Sequence, residues 1–137
     1  MATPPRPDAL AELADRGRWL RFEHSIISRI DLDAHEILRD YRGAVQDLDD
    51  HDRNQIAFFA RVTGKDVLKC LRRIVLLNGG AYEASIEAIY RQIVDRAPQQ
   101  APLADKLIEL YRNPHVSKRV LLDVLEQATV SIASWQA

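Results

Sequence analysis

The chain has 137 residues, of which 47% are hydrophobic and 28% charged, and its formal net charge is −1. This length suits one domain with a core large enough to fold without disulfide or metal cross-links. The near-zero net charge excludes a general attraction to nucleic acid or to an anionic membrane.

Several features predict a cytoplasmic protein. A single cysteine, Cys70, excludes an internal disulfide framework, and its place on the apolar side of a helix favours a small buried hydrophobe over a reactive thiol. No run approaches the roughly eighteen apolar residues of a membrane span. The opening stretch MATPPRPD lacks the apolar core of a signal peptide. We therefore expect a cytoplasmic setting and no membrane partner.

The chain opens on a proline-rich stretch. We expect residues 1–7 to form a flexible lead-in and residues 8–137 to form a single all-α domain. Hydrophobic residues recur at helical spacing from Ala9 to about Ile30, which predicts a first helix. A second helix is predicted to follow and to end near Leu48.

An acidic string at residues 47–52 predicts a turn and then the first turn of a third helix, because carboxylates stabilise helix N-termini. We expect this third helix to stop near Gly64. Its apolar residues are Ile56, Phe58, Phe59 and Val62.

The stretch Val62–Gly80 predicts a helix at the centre of the fold with both of its ends marked. Thr63 is a favourable N-cap, and Asp66 follows at a capping-box-like position. The residues Asn78-Gly79-Gly80 accept the left-handed conformation that ends many helices. At about 100° per residue, apolar side chains cover about half of the circumference and basic side chains cover the rest. The basic arc contains Lys65, Lys69, Arg72 and Arg73, with Leu76 as its one apolar residue.

Further helices are predicted downstream. Residues 81–96 and 103–112 have helical patterns, and the proline-bounded stretch 98–102 separates them as a loop. Asn113-Pro114 breaks the pattern before a last helix over residues 116–134. Sustained alternation at period two is missing, so the sequence predicts a compact, all-α, single-domain bundle of six or seven helices.

A short HEAT-like array of helical hairpins is the alternative architecture. Residues 11–36 and 101–126 share several residue types at matched positions, which is the kind of self-similarity that repeats produce. No middle copy is recognisable, however. We therefore prefer the compact bundle.

Residues 53–78 suggest an alternative function as a helix-turn-helix DNA-binding regulator. Ala60 followed by Gly64 resembles the small residue and turn glycine of that motif, and the next helix is basic. Lysine and arginine on this arc suit phosphate contacts, but side chains that read bases are almost missing. Nucleic acid is therefore the less favoured partner.

The sequence predicts no metal site, no cofactor and no enzymatic activity. Acidic residues and histidines cluster at residues 31–35 and 47–52, but the glycine and terminal glutamate of a calcium loop are missing there. Two arginine–histidine pairs have the spacing of a pair found in helical ribonucleases, although the polar residue that usually follows the arginine is replaced in both. These pairs are Arg18 with His24 and Arg29 with His35.

We therefore expect a small protein–protein interaction module: an adaptor, a regulatory protein or a toxin-neutralising partner. Its basic helix face would bind an acidic surface of another protein, with self-association as a further option. Trp135 near the C-terminus would add an aromatic contact, since tryptophan is enriched at interfaces. The predicted partner-binding residues are Arg61, Lys65, Lys69, Arg72, Arg73, Leu76 and Trp135.

Overall fold

The computed structural model describes residues 34–135, with side-chain environments as far as Ser134. The predicted lead-in, the first predicted helix and the residues Arg18, His24 and Arg29 lie outside the described residues. Five α-helices and one 3₁₀ turn make up the described part. They are α1 (34–46), α2 (Arg53–Leu77), α3 (Ile86–Arg96), the 3₁₀ turn Pro98–Gln100, α4 (Ala101–Arg112) and α5 (Lys118–Trp135).

The all-α class is confirmed for residues 34–135, which contain no strand. A bundle agrees with these five helices, while the count of six or seven stays a prediction for the whole chain. None of the helices within this range is long and apolar enough to cross a membrane.

Residues 53–77 form one continuous helix of 25 residues, so the predicted break near Gly64 is wrong. Thr63 is not an N-cap but is wholly buried inside the helix. The N-cap is Asp52, whose carboxylate accepts a hydrogen bond from the backbone N–H of Gln55 at 3.3 Å. A helix-turn-helix needs a turn at Gly64, and residues 53–78 therefore do not form that motif.

Gly64 stays helical because it is the point where α2 crosses α4. A Cβ atom at Gly64 would lie 2.4 Å from the carbonyl oxygen of Leu107 and 2.9 Å from the backbone nitrogen of Tyr111. Ala60, one turn earlier, is also fully buried. A helical glycine costs only about 1 kcal/mol relative to alanine, which close packing of two helices outweighs.

The predicted C-terminal end of α2 is confirmed. Gly79 has a φ of +81°, in the left-handed region that favours glycine. The N–H of Gly80 donates to the carbonyl of Val75 at 2.8 Å, and the N–H of Gly79 donates to that of Leu76 at 3.3 Å. These two bonds define a Schellman motif, which satisfies carbonyls that the helix end leaves unpaired.

Side chains of α3 hold the loop that follows α2. Gln92 exchanges two hydrogen bonds with the backbone of Ala81, at 3.0 and 3.1 Å. Arg96 donates to the carbonyl of Asn78 at 3.2 Å. The hydroxyl of Ser85 accepts from the backbone N–H of Ala88 at 3.4 Å and caps α3, which therefore begins at Ile86 and not near Ala81 as the sequence predicts.

The core lies where α2 packs against α3, α4 and α5, with its most extensive contact on α4. Each of the five helices contributes at least one side chain that is 2% exposed or less: Leu38, Leu71, Ile93, Leu107 and Leu125. Polar contacts join the helices outside the core. Arg112 of α4 pairs with both carboxylate oxygens of Glu87 in α3, and these hydrogen bonds hold the pKa of Glu87 below its usual value.

Two contacts connect the first and last described helices. Lys118 at the start of α5 donates to the carbonyls of Gln46 and Leu48, at 2.9 and 2.7 Å, just where α1 ends. A cation is favourable at a helix C-terminus. Arg42 of α1 also pairs with Glu126 of α5 at 2.7 Å.

Replacing Thr63 by valine is expected to raise the free energy of unfolding by about 1 kcal/mol, because a buried hydroxyl without a partner costs free energy that an isosteric methyl does not. The Thr63 hydroxyl is buried without a hydrogen-bond partner in the described structure. Thr129→Val is the matched control, since the Thr129 hydroxyl already donates to the carbonyl of Leu125 at 2.8 Å. Urea unfolding of both variants measures the difference. A destabilised Thr63→Val would show that this hydroxyl is hydrogen-bonded in solution.

Candidate protein-interaction site

One side of α2 carries no buried residue. On a helical wheel of about 100° per residue, the partly or fully exposed residues of this side fall within about 80° of each other. We call this side the outer face of α2. From Phe58 onward it consists of Phe58, Val62, Lys65, Lys69, Arg73 and Leu76.

Phe58 is the most exposed large hydrophobic residue on the outer face, with 57% of its surface accessible. Its ring packs edge-on against Phe59 at a centroid distance of 5.4 Å. Phe59 in turn packs edge-on against Tyr41 of α1 at 5.9 Å. The ring of Phe58 thus contacts a neighbouring ring and remains more than half exposed, which suits an interface anchor.

Lys65 and Lys69 follow Phe58 along the outer face. Both are half-buried, as is common for lysines whose aliphatic stems pack along a protein surface. Within residues 34–134, neither ammonium group has a hydrogen-bond or salt-bridge partner. Their charge is therefore not neutralised by a neighbour in this part of the chain.

Three acidic residues of the turn before α2 have partners other than the lysines of the basic arc. Asp52 caps α2, and Asp49 accepts a hydrogen bond from the backbone N–H of His51 at 2.7 Å. Asp50 lies 3.7 Å from the ammonium of Lys118. Within the described residues, none of these three carboxylates pairs with Lys65 or Lys69.

Asp66 is the carboxylate nearest to the outer face along α2, and it is bound by a tyrosine. The hydroxyl of Tyr41 donates to Asp66 at 2.5 Å. Burial, together with this hydrogen bond, raises the pKa of Tyr41 well above its usual value, so the phenol stays protonated. The contact joins α1 to α2, and it replaces the capping role that the sequence predicts for Asp66.

Arg61 borders the outer face and is held by α4. It is exposed, its guanidinium lies 4.6 Å from the ring centroid of Tyr111, and it donates to the carbonyl of the same residue at 3.3 Å. Stacking of this kind orients the guanidinium over an aromatic face. Arg61 can therefore contribute charge at the edge of a bound partner.

Arg72 follows Lys65 by two turns of α2, but unlike the other basic residues of the predicted set it is buried. Only 9% of its surface is accessible. Its guanidinium donates to the carbonyl of Glu83 at 2.9 Å and lies 4.3 Å from the ring centroid of Tyr82. These contacts hold the loop after α2, so the described structure gives Arg72 a structural role.

The remaining predicted site residues are Arg73, Leu76 and Trp135. Arg73 and Leu76 lie on the outer face. Trp135 is the last residue of α5, and its side chain lies outside the described part.

Phe58 is the residue that sequence reasoning missed. The sequence signal for Phe58 is its spacing of seven residues from Lys65. This spacing places both side chains on one face only when residues 53–77 form a single helix.

The described residues offer no group of three or more His, Cys, Asp or Glu side chains placed to hold a metal ion. His51 and His115 line a common cavity of about 520 Å³ beside the start of α2. Two histidines in a shared cavity do not by themselves define a ligand.

Comparisons with protein-family models, with curated proteins and with solved structures give no match to this chain.

Proposed function

We propose that this protein is a protein–protein interaction module, acting as an adaptor, a regulatory protein or a neutralising partner. It binds an acidic surface of another protein through the outer face of α2. The observation that carries the proposal is the exposure of Phe58 on the same face of α2 as Lys65 and Lys69.

Aromatic anchors surrounded by polar contacts dominate the energetics of many interfaces. Phe58 supplies such an anchor at one end of the outer face, and Leu76 supplies an apolar contact at the other. The distance between them along the helix axis is about 27 Å at 1.5 Å per residue. Between them, lysines would steer an acidic partner and set its orientation more than its affinity.

The test is capture of partners from a lysate of the native host by the tagged full chain. We expect Phe58→Ala and the double variant Lys65→Glu/Lys69→Glu each to weaken capture at least about tenfold, which corresponds to about 1.4 kcal/mol. Added salt should weaken partner binding by the parent chain, because it screens the charges of these lysines. Binding by the double variant, which lacks these positive charges, should not fall as salt is added.

A matched control makes the same change in net charge on other surfaces. Arg91→Glu/Arg119→Glu alters two exposed arginines, on α3 and α5, that lie outside the outer face. This variant should capture the partner as the parent does. Equal losses in both double variants would show that only net charge matters, and the outer face would then be the wrong surface.

Duplex DNA provides the competing outcome. A gel shift with the parent chain that weakens steeply with salt, and that disappears in Lys65→Glu/Lys69→Glu, would assign the outer face to nucleic acid instead. Circular dichroism should show the same helicity for every variant, since the substituted side chains are not part of the core.

A further inference from the structure

We propose that a groove between α4 and α5 is a second docking site, and that its occupant is a basic amphipathic segment of a partner protein. The groove encloses a volume of about 520 Å³. It shares no residue with the outer face of α2, so this inference is independent of the proposed function.

The floor of the groove is apolar. Leu110 and Val124 lie at its base, with 3% and 5% of their surfaces accessible. Val116 is half-buried, and Val120 is 45% exposed although it points into the same cavity. An exposed valine above two buried aliphatic residues leaves apolar surface in water that a partner side chain would cover.

The two helices that flank the groove are also joined beside it. At one end the ammonium of Lys106 donates to the side-chain carbonyl of Gln127 at 3.0 Å and so bridges α4 to α5. At the other end the connection 113–117 joins the two helices. Val120 and Val124, one turn apart on α5, are separated by about 6 Å along the helix axis, which suits the side chains of one turn of a docked helix.

The rim of the groove is acidic. Asp105, Glu109 and Asp123 line it, together with Lys106 as the one cation. Within residues 34–134, none of the three carboxylates forms a salt bridge, and the ammonium of Lys106 is engaged by Gln127. The rim therefore presents a net negative charge around an apolar floor.

Two of the rim carboxylates accept hydrogen bonds from neighbouring side chains. Asp105 accepts a hydrogen bond from the hydroxyl of Tyr90 at 2.5 Å. Glu109 accepts one from the side-chain amide of Asn113 at 2.7 Å. Each bond engages a single carboxylate oxygen, so the other oxygen can accept from an arriving lysine or arginine.

These features select the occupant by its chemistry. Apolar side chains spaced three and four residues apart would enter the floor, as in other helix-in-groove complexes. Lysine or arginine side chains on the flanks would meet the three carboxylates, while an acidic segment would be repelled. A basic amphipathic segment satisfies both conditions.

The test uses the full chain and two labelled helical peptides of equal length, one of leucine and lysine and one of leucine and glutamate. Fluorescence anisotropy should show binding of the lysine peptide at least about tenfold tighter than that of the glutamate peptide. Amide chemical-shift changes should concentrate on residues 105–124. Shifts spread over the whole surface would overturn the proposal.

Variants separate the apolar and charged contributions. Val120→Asn and Glu109→Gln/Asp123→Asn should each weaken binding of the lysine peptide about tenfold. Val130→Asn is the matched apolar control, because Val130 is 62% exposed on the same helix outside the groove. Glu36→Gln/Asp95→Asn is the matched charge control, on exposed positions of α1 and α3. If a groove variant and its matched control weaken peptide binding equally, the groove is not the binding site and the proposal is overturned.

Two further outcomes distinguish this site from the alternatives. If the parent chain self-associates in sedimentation and Val120→Asn makes it monomeric, the occupant is a second copy and the peptide proposal fails. Lys65→Glu/Lys69→Glu should leave binding of the lysine peptide intact, because these residues lie outside the groove. Partner capture therefore tests the outer face of α2, and peptide binding tests the groove.

Discussion

Gly64→Ala is expected to lower the free energy of unfolding by about 3 kcal/mol, as overpacking at a close helix contact does. The added methyl group would lie 2.4 Å from the carbonyl oxygen of Leu107 and 2.9 Å from the backbone nitrogen of Tyr111. Both are backbone atoms, so no side-chain rotation relieves the clash. The axes of α2 and α4 would have to move apart, and the core between them would lose packing.

Gly43→Ala is the control, because it makes the same change in a helix interior without a neighbour. Gly43 lies in α1, and a Cβ there would meet no atom within 4 Å. This variant should gain about 0.5–1 kcal/mol, the difference in helix propensity between alanine and glycine. Urea unfolding of the two variants should therefore give changes of opposite sign. A Gly64→Ala protein as stable as the parent would contradict the crossing of α2 and α4 at this residue.

Gly80→Ala is expected to cost about 2–3 kcal/mol, again through overpacking. Its Cβ would lie 2.3 Å from a methyl carbon of Val75 and 2.9 Å from the carbonyl oxygen of the same residue. Val75 is 1% exposed, so its side chain has no room to move away. The carbonyl oxygen also accepts the hydrogen bond from Gly80 that closes the Schellman motif.

Gly79→Ala separates backbone strain from steric overlap in the same turn. Gly79 has a φ of +81°, but the nearest atom to a Cβ there is Nη1 of Arg96 at 3.8 Å. Alanine at this position should cost about 1 kcal/mol, the usual penalty of the left-handed conformation. Thermal unfolding should therefore rank Gly80→Ala below Gly79→Ala. The reverse order would show that backbone conformation, and not packing against Val75, decides the stability of this turn.

The features that sequence predicted well depend on local patterns. Helical periodicity gave the all-α class, and Asn78-Gly79-Gly80 gave the C-terminal end of α2, since a left-handed cap depends on the residues that form it. The sequence predicts that α4 begins at residue 103, whereas in the structure it begins two residues earlier, at Ala101. Such small differences at helix ends are ordinary.

The features that sequence did not predict depend on contacts between distant residues. Gly64 and Thr63 favour a helix end when judged by propensity, and only the approach of α4 makes the glycine a packing residue. A lysine-rich arc predicts exposure for Arg72, yet the loop after α2 folds back and buries it. Tertiary contacts override local propensity at these positions.

The candidate site shows the same division. Lys65, Lys69 and Leu76 could be assigned to one face because helical spacing alone aligns them. Phe58 could not be added while a break was predicted between it and the lysines. The α4–α5 groove could not be predicted at all, because its floor combines Leu110 with Val120 and Val124 from a different helix.

The contacts of Lys118 and Arg42 have a consequence for the way the fold opens. Lys118 reaches carbonyls 70 and 72 residues earlier in the sequence, and Arg42 pairs with Glu126, 84 residues later. Such distant contacts form only after the intervening helices have assembled. Once formed, they make α1 and α5 depend on each other. The two helices should therefore exchange their amide hydrogens as one cooperative unit, whereas unlinked helices would fray independently.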